Sequence, residues 1–278
     1  MSLAEGFQGR VRFTERFEPR PHVSHVIFDF DGTLSLIRQG WPDVMVPLFD
    51  ELLPRIEGET DASVREMLFD DIMRLNGKQT IYQMIQFADS VRERGGPELD
   101  PLELKHEYLR RLQERIAERI SGLEDGSIPR DELTLFGAHA LLEQLQQRDL
   151  QMYLLSGTDE PFVKREAELL DVARFFGDNI HGAQDDYHSF SKQMIMQRLL
   201  DEQQMTGEQL LVFGDGYVEV ELGSQLGGLS VALASDEANN GSGSFDAWKL
   251  DRLLGVGAGV VIPDYRDAGV LLERIFTT

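Results

Sequence analysis

Two aspartates one residue apart follow an apolar run near the start of the chain. The run spans residues 26–28, and the loop after it reads Asp29-Phe30-Asp31-Gly32-Thr33-Leu34. β-favouring residues that are apolar on both faces predict a strand inside a covered parallel sheet, so both aspartates would stand where this strand ends. Open α/β sheets bind ligands at that edge, and Gly32 would let the backbone turn closely around a bound group.

Two carboxylates this close repel each other unless a cation lies between them or one of them holds a proton. The pair therefore indicates a divalent cation, or a division of labour in which one carboxylate stays ionised and the other acts as an acid. An Asp-Gly turn after a strand is also common loop sequence, so the chemical interpretation needs partners elsewhere in the chain.

The loop at residues 29–34 resembles the nucleophile loop of the haloacid dehalogenase-like (HAD) phosphohydrolases. In that family the first aspartate attacks phosphorus and the second acts as acid and base, so the resemblance implies these roles for Asp29 and Asp31. An aspartate followed by Gly-Thr at the second position is similar to the phosphatase form of the loop and differs from the dehalogenase form.

Composition restricts the classes of partner. The chain has 278 residues, 41% of them apolar, and a net charge of −22, which disfavours binding to nucleic acid or to an anionic membrane. A phosphate site must therefore supply its own local positive field. There is no cysteine, which excludes disulfides, thiolate metal sites and cysteine nucleophiles. With no apolar run of membrane-spanning length, we expect a cytoplasmic protein that binds a small phosphorylated metabolite.

The segment from Trp41 to Gly122 has apolar residues at helical spacing and no β-rich run. Four amphipathic helices fit, with breaks at residues 54–60, 76–77 and 95–97. A helical block directly after the first strand resembles the α-helical (C1-type) cap of one HAD subclass. The resemblance implies a cap at residues 36–127 and an α/β core at residues 1–35 and 128–278. The alternative is a helical domain whose position has no catalytic meaning.

Two later segments place a hydroxyl and a cation where they could hold a phosphate. A buried strand at 152–155 leads into Ser156-Gly157, and backbone N–H groups after a strand form anion-binding nests. Lys192 begins a predicted helix, whose amino terminus also favours anions. These positions resemble the second and third HAD motifs, although Gln193 stands where proline is frequent. Helix capping by Ser156, and Lys164 as the functional lysine, are the alternatives.

A further apolar strand, at residues 210–214, ends on Asp215, and Glu219 follows four residues later. The cluster resembles the Gly-Asp-x-x-x-Asp metal motif of the family, with glutamate in place of the last aspartate. The alternative for Glu219 is an ordinary surface residue of a helix. The resemblance implies that Mg²⁺ is held by Asp29, Asp31, Asp215 and Glu219, and that the phosphoryl group is held by Thr33, Ser156, Gly157 and Lys192.

Arg38 and Trp41 lie where the chain enters the helical block. Arg38 could pair with a second anionic group of a substrate, and Trp41 could pack on an apolar or sugar face. The alternative is a hinge that contains a packed tryptophan.

Together these features predict a Rossmann-like, doubly wound parallel α/β sheet with an inserted all-α cap. The resemblance implies a Mg²⁺-dependent phosphatase that hydrolyses a small phosphomonoester, such as a sugar phosphate, through an aspartyl-phosphate. A phosphomutase of the β-phosphoglucomutase type would use the same motifs. A non-catalytic phosphometabolite-binding protein on the same fold is the other alternative.

Overall fold

The strand that ends before Asp29 lies inside the sheet, with parallel neighbours on both sides. The computed structural model describes residues 6–184, 186–187 and 191–277. The described residues form one sheet of eight strands in the order β1-β2-β8-β7-β6-β3-β4-β5. The strands are β1 (Gly6–Gln8), β2 (Val11–Phe13), β3 (His25–Phe28), β4 (Gln151–Asp159), β5 (Ile180–Ala183), β6 (Leu210–Gly214), β7 (Leu229–Leu233) and β8 (Val260–Ile262).

The sheet reverses its direction of growth at β3. The chain first adds β4 and β5 on one side of β3, then returns to place β6, β7 and β8 on the other side, all of them parallel. Such a switch point leaves a crevice at the carboxyl ends of the central strands. The doubly wound parallel core predicted from the sequence is thereby confirmed, and the crevice lies at the two aspartates after β3.

Apolar side chains on both faces of β3 explain why it lies inside the sheet. Ile27 packs with Met196 and Val212 on one face, whereas Phe28 lies in the large core cluster on the other. Ile27 and Phe28 are both fully buried. A strand that is apolar on both faces requires helices on both sides of the sheet to cover it.

Those helices are mostly short and follow the strands in turn. Their bounds are α5 (Arg130–Leu133), α6 (Ala138–Gln146), α7 (Glu160–Leu169), α8 (Lys192–Glu202), α9 (Tyr217–Gln225), α10 (Ala247–Gly255) and α11 (Ala268–Ile275). None of the helices in the described part of the chain has the length and apolar character that crossing a membrane requires.

The helical insertion predicted after the first strand is confirmed. Residues 36–127, all of them described, contain α1 (Pro42–Leu52), α2 (Asp61–Arg74), α3 (Thr80–Glu93) and α4 (Pro101–Asp125). Thr60 and Ser63 form a capping box that starts α2, and Asp100 caps α4, which ends at Gly126 with φ +77°. The Phe49 and Phe87 rings stack with centroids 3.9 Å apart. The exact domain limits stay a prediction.

The amino-terminal segment forms part of the sheet. β1 and β2 form an antiparallel hairpin, and β2 pairs with the edge strand β8. Val11 and Phe13 are 1% and 2% exposed, so this segment buries apolar surface and covers a sheet edge that would otherwise be open.

Candidate active site

Four distant chain segments meet at the carboxyl edge of the sheet. Asp29 and Asp31 follow β3, Gly157 lies in the last part of β4, Lys192 begins α8 and Asp215 follows β6. All five residues line one cavity of about 80 Å³, which Trp41 and Lys78 of the helical insertion also border. Three other predicted site residues are fully buried and do not line the cavity, namely Thr33, Ser156 and Glu219.

Asp29 is a buried carboxylate held from two sides. Its backbone N–H donates to the Phe213 carbonyl of β6 at 2.9 Å, and its Oδ1 accepts from Lys192 Nζ at 2.7 Å. Burial raises the pKa of Asp29 to about 6; Lys192 opposes this rise and Asp215 adds to it. The neighbouring Lys192 ammonium group favours the ionised form of Asp29, which a nucleophile requires.

The two oxygens of Asp31 have different surroundings. Oδ2 accepts from the hydroxyls of Thr158 at 2.8 Å and Ser156 at 3.4 Å. Oδ1 is buried, has no hydrogen-bond partner among the described residues, and lies 3.9 Å from Arg38 Nε. Burial raises the pKa of Asp31 to about 7, against the opposing charge of Arg38. A carboxyl group that titrates near neutrality can both give and take a proton.

The predicted phosphate-binding hydroxyls make hydrogen bonds within the protein. Ser156 Oγ accepts from the Thr158 N–H at 3.0 Å, and Thr33 Oγ1 accepts from the Asp215 N–H at 3.0 Å. The Thr33 carbonyl accepts from the Tyr265 hydroxyl at 2.9 Å. Thr33 thus ties the β3 loop to the β6 loop. Phosphate binding by either hydroxyl stays a prediction. Thr158, which the sequence analysis did not select, is signalled only by its place after Ser156-Gly157.

Lys192 joins the nucleophile loop to Glu219. Ser191 caps α8 by accepting from the Met194 N–H at 3.1 Å, which fixes Lys192 at the helix start. Lys192 Nζ, in a side chain that is 4% exposed, donates to both Asp29 and Glu219. Lys164, the alternative, instead pairs with Glu160 at 2.6 Å on the surface.

The carboxylate of Glu219 reaches the lysine and packs against backbone. A Cβ on Gly77 of the helical insertion would lie 3.1 Å from both Glu219 carboxylate oxygens, and Oε2 has no hydrogen-bond partner in the described part of the chain. Glu219 is fully buried and is therefore not an ordinary surface residue of a helix, which was the alternative interpretation. Its role as a direct metal ligand stays untested, and the contact the structure records is with Lys192.

Asp215 lies against Gly32 and a second lysine. Gly32 has φ +73°, and a Cβ there would be 2.3 Å from Asp215 Oδ2. That oxygen accepts from Lys249 Nζ at 2.8 Å, and the same ammonium group donates to Glu237. Burial acts to lower the pKa of Lys249, but the negative charges of Asp215 and Glu237 outweigh this effect, so the pKa is raised. The sequence analysis missed Lys249, because no motif surrounds it.

We expect Gly32→Ala to damage the site more than its backbone strain alone would. An alanine at positive φ costs roughly 1–2 kcal/mol, and the new methyl group would also push Asp215 away from the cavity. Denaturant unfolding and Mg²⁺ titration measure the two effects separately. Gly58→Ala is the matched control, since Gly58 has φ +92° with nothing within 4 Å of the added Cβ. Equal Mg²⁺ affinity in both variants would show that Gly32 has only a backbone role.

Arg38 forms a buried ion pair with another residue of the protein. Its guanidinium makes a bidentate pair with Glu166 of α7, with Nε–Oε2 3.0 Å and Nη2–Oε1 2.7 Å, and both side chains are buried. That Arg38 also binds a second anionic group of the substrate stays a prediction. Arg38 and Trp41 both line the cavity, and Arg38 Nε lies 3.9 Å from Asp31 Oδ1.

The chemistry of the oxygen donors fits Mg²⁺. Within the described ranges no three His, Cys, Asp or Glu side chains are grouped as a metal site. Asp29 and Asp215 each give one carboxylate oxygen to a lysine and have a second oxygen. These oxygens and the main-chain carbonyl of Asp31 are the hard ligands that Mg²⁺ prefers, with water completing its shell.

Several solved structures of other proteins have a similar fold. A structure of β-phosphoglucomutase from Clostridium difficile is 12% identical, with 91% of this chain and 97% of that chain covered and a TM-score of 0.60. A hydrolase from Pseudomonas syringae is 20% identical, with coverage of 91% and 99% and a TM-score of 0.57. A predicted phosphoglycolate phosphatase from Haemophilus somnus is 15% identical, with coverage of 76% and 85% and a TM-score of 0.52.

At these identities the structural likeness establishes a shared fold. No curated protein matches the sequence. The family model of the haloacid dehalogenase-like hydrolases matches residues 23–227, a segment that contains the β3 loop, the helical insertion, Lys192 and Asp215. The chain therefore belongs to the haloacid dehalogenase-like hydrolases.

Proposed function

We propose that this protein is a Mg²⁺-dependent phosphatase that hydrolyses a small phosphomonoester through an aspartyl-phosphate on Asp29. The observation that carries the proposal is that two carboxyl groups with different hydrogen-bond surroundings line one cavity. Asp29 is buried against Lys192 at 2.7 Å, whereas Asp31, on the same loop, keeps one oxygen without a hydrogen bond. The first suits a nucleophile and the second suits a proton carrier.

In the first step, an oxygen of Asp29 forms a bond to phosphorus while the bond from phosphorus to the ester oxygen breaks. Asp31 gives its proton to the departing oxygen, which leaves as an alcohol. In the second step, water attacks phosphorus and gives its proton to Asp31. The bond between phosphorus and Asp29 then breaks, inorganic phosphate leaves and both carboxyl groups return to their initial states.

Positive charge at the site offsets the repulsion between a phosphate and a carboxylate. Lys192 supplies one charge directly, which matters in a chain of net charge −22. Asp29, Asp215 and the Asp31 carbonyl would hold Mg²⁺, which when bound neutralises charge on the phosphoryl oxygens. Phosphoryl transfer depends mostly on such positioning and electrostatic stabilisation.

We propose that the helical insertion opens to admit the substrate and closes over it. The cavity of about 80 Å³ is far below the roughly 300 Å³ at which small-molecule pockets begin. The loop between α2 and α3 closes it, since a Cβ on Gly157 would lie 2.6 Å from the Lys78 carbonyl oxygen. Closure would exclude water from the reacting groups, and cap residues that line the cavity would select the leaving group.

A panel of phosphorylated metabolites, including sugar phosphates, tests the proposal. We expect release of inorganic phosphate from at least one small phosphomonoester in the presence of Mg²⁺, and loss of this release when EDTA removes the metal. Product analysis by ³¹P NMR identifies a phosphomutase if a positional isomer forms without net phosphate release. Binding without turnover across the panel would contradict the proposal and favour a binding protein.

A further inference from the structure

A lysine outside the matched family segment contacts a predicted metal ligand. Lys249 lies in α10, beyond residues 23–227, and its Nζ is 2.8 Å from Asp215 Oδ2. The same nitrogen donates to Glu237 and lies 3.5 Å from Ser235 Oγ. The lysine side chain is 11% exposed and that of Asp215 is 9% exposed, so the pair is largely shielded from water.

The fold directs Lys249 to this position. After β7 the chain makes a loop closed by a bridge between Ser235 and Phe245. Asp246 then caps α10 by accepting from the Lys249 N–H at 2.8 Å, which fixes the backbone of the lysine in the first helical turn. Glu237 lies in the same loop, and its side chain is 22% exposed.

We propose that Lys249 is a positioning residue that holds Asp215 until Mg²⁺ arrives and that competes with the cation for this carboxylate. The inference rests on the proposed function, because it assumes Mg²⁺ at Asp215. An ammonium group and a divalent cation a few ångströms apart repel each other strongly in a shielded site. Glu237 offers the lysine a second anionic partner, so Lys249 keeps a paired charge when Asp215 turns to the metal.

Isothermal titration of the purified full-length protein with MgCl₂ tests the inference without measuring turnover. We expect Lys249→Met to bind Mg²⁺ more tightly by about tenfold, since one competing positive charge is gone. Glu237→Gln should weaken binding several-fold, because Lys249 then has only Asp215 as an anionic partner. Lys164→Met, which removes a surface lysine 50% exposed, is the matched control and should leave the affinity unchanged.

The double variant Lys249→Met/Glu237→Gln separates competition from a direct attraction between Glu237 and the metal. With the lysine absent, the change at Glu237 should lose most of its effect. Equal or weaker Mg²⁺ binding by Lys249→Met would overturn the inference and leave the proposed function intact. Failure of the wild-type protein to bind Mg²⁺ would overturn both. If Lys249→Met does not fold, unchanged or tighter binding by Glu237→Gln overturns the inference.

Discussion

Asp29→Asn should abolish turnover while leaving the fold intact. The amide has nearly the shape of the carboxylate, and it can still accept a hydrogen bond from Lys192, which lies 2.7 Å from Oδ1. It is not a nucleophile toward phosphorus, so no aspartyl-phosphate can form. We expect the rate of phosphate release to fall by on the order of 10⁴-fold or more, the scale seen when an enzyme loses its nucleophile.

Two measurements make this prediction specific. Acid quenching during turnover, followed by mass spectrometry, should detect one added phosphoryl group on the peptide that contains Asp29 in the wild-type protein and none in the variant. Asp178→Asn, at an exposed position outside the site, is the control and should keep full activity. Wild-type turnover by Asp29→Asn would remove Asp29 from the mechanism, and with it the covalent intermediate.

The largest effect on stability is expected from Lys192→Met. Lys192 is 5% exposed and stands between two carboxylates, of which Asp29 is 5% exposed and Glu219 fully buried. Removing one partner of a buried ion pair leaves an uncompensated charge, which typically costs about 3–5 kcal/mol of unfolding free energy. Denaturant unfolding of the variant beside the wild type measures this cost.

A second substitution tests whether charge imbalance is the cause. In Lys192→Met/Glu219→Gln the buried glutamate charge is gone, so we expect much of the lost stability to return. Lys164→Met breaks only the exposed pair with Glu160 and should cost less than about 1 kcal/mol. A double variant as unstable as Lys192→Met would attribute the loss to the unpaired Asp29 carboxylate or to packing of the lysine side chain, and would exclude the charge of Glu219 as its main cause.

Much of the fold could be predicted because its signals are local. The apolar run before Asp29 predicts a covered strand, and helical spacing such as that of Leu104, Tyr108 and Leu112 predicts the long helix of the insertion. The hairpin β1–β2 could not be predicted in this way. Its strands of three residues are too short for a clear pattern, and their place depends on the exposed edge of β8.

The sequence by itself determined which residue types stand near the ends of strands or at a helix start, and in what order: Asp29 and Asp31, then Ser156, Lys192 and Asp215. Parallel strands bring their carboxyl ends to one edge of a sheet, so that order was enough to predict one shared site.

Only the tertiary structure decided which partner each charged side chain has. Arg38 binds Glu166, which is 128 positions away; Glu219 binds Lys192, 27 positions away; and Lys249 binds Asp215, 34 positions away. A buried charge must be paired, but a long side chain can reach many candidates, and packing of distant elements selects one of them. The spacing of residues along the chain therefore does not predict which partner each of these side chains contacts.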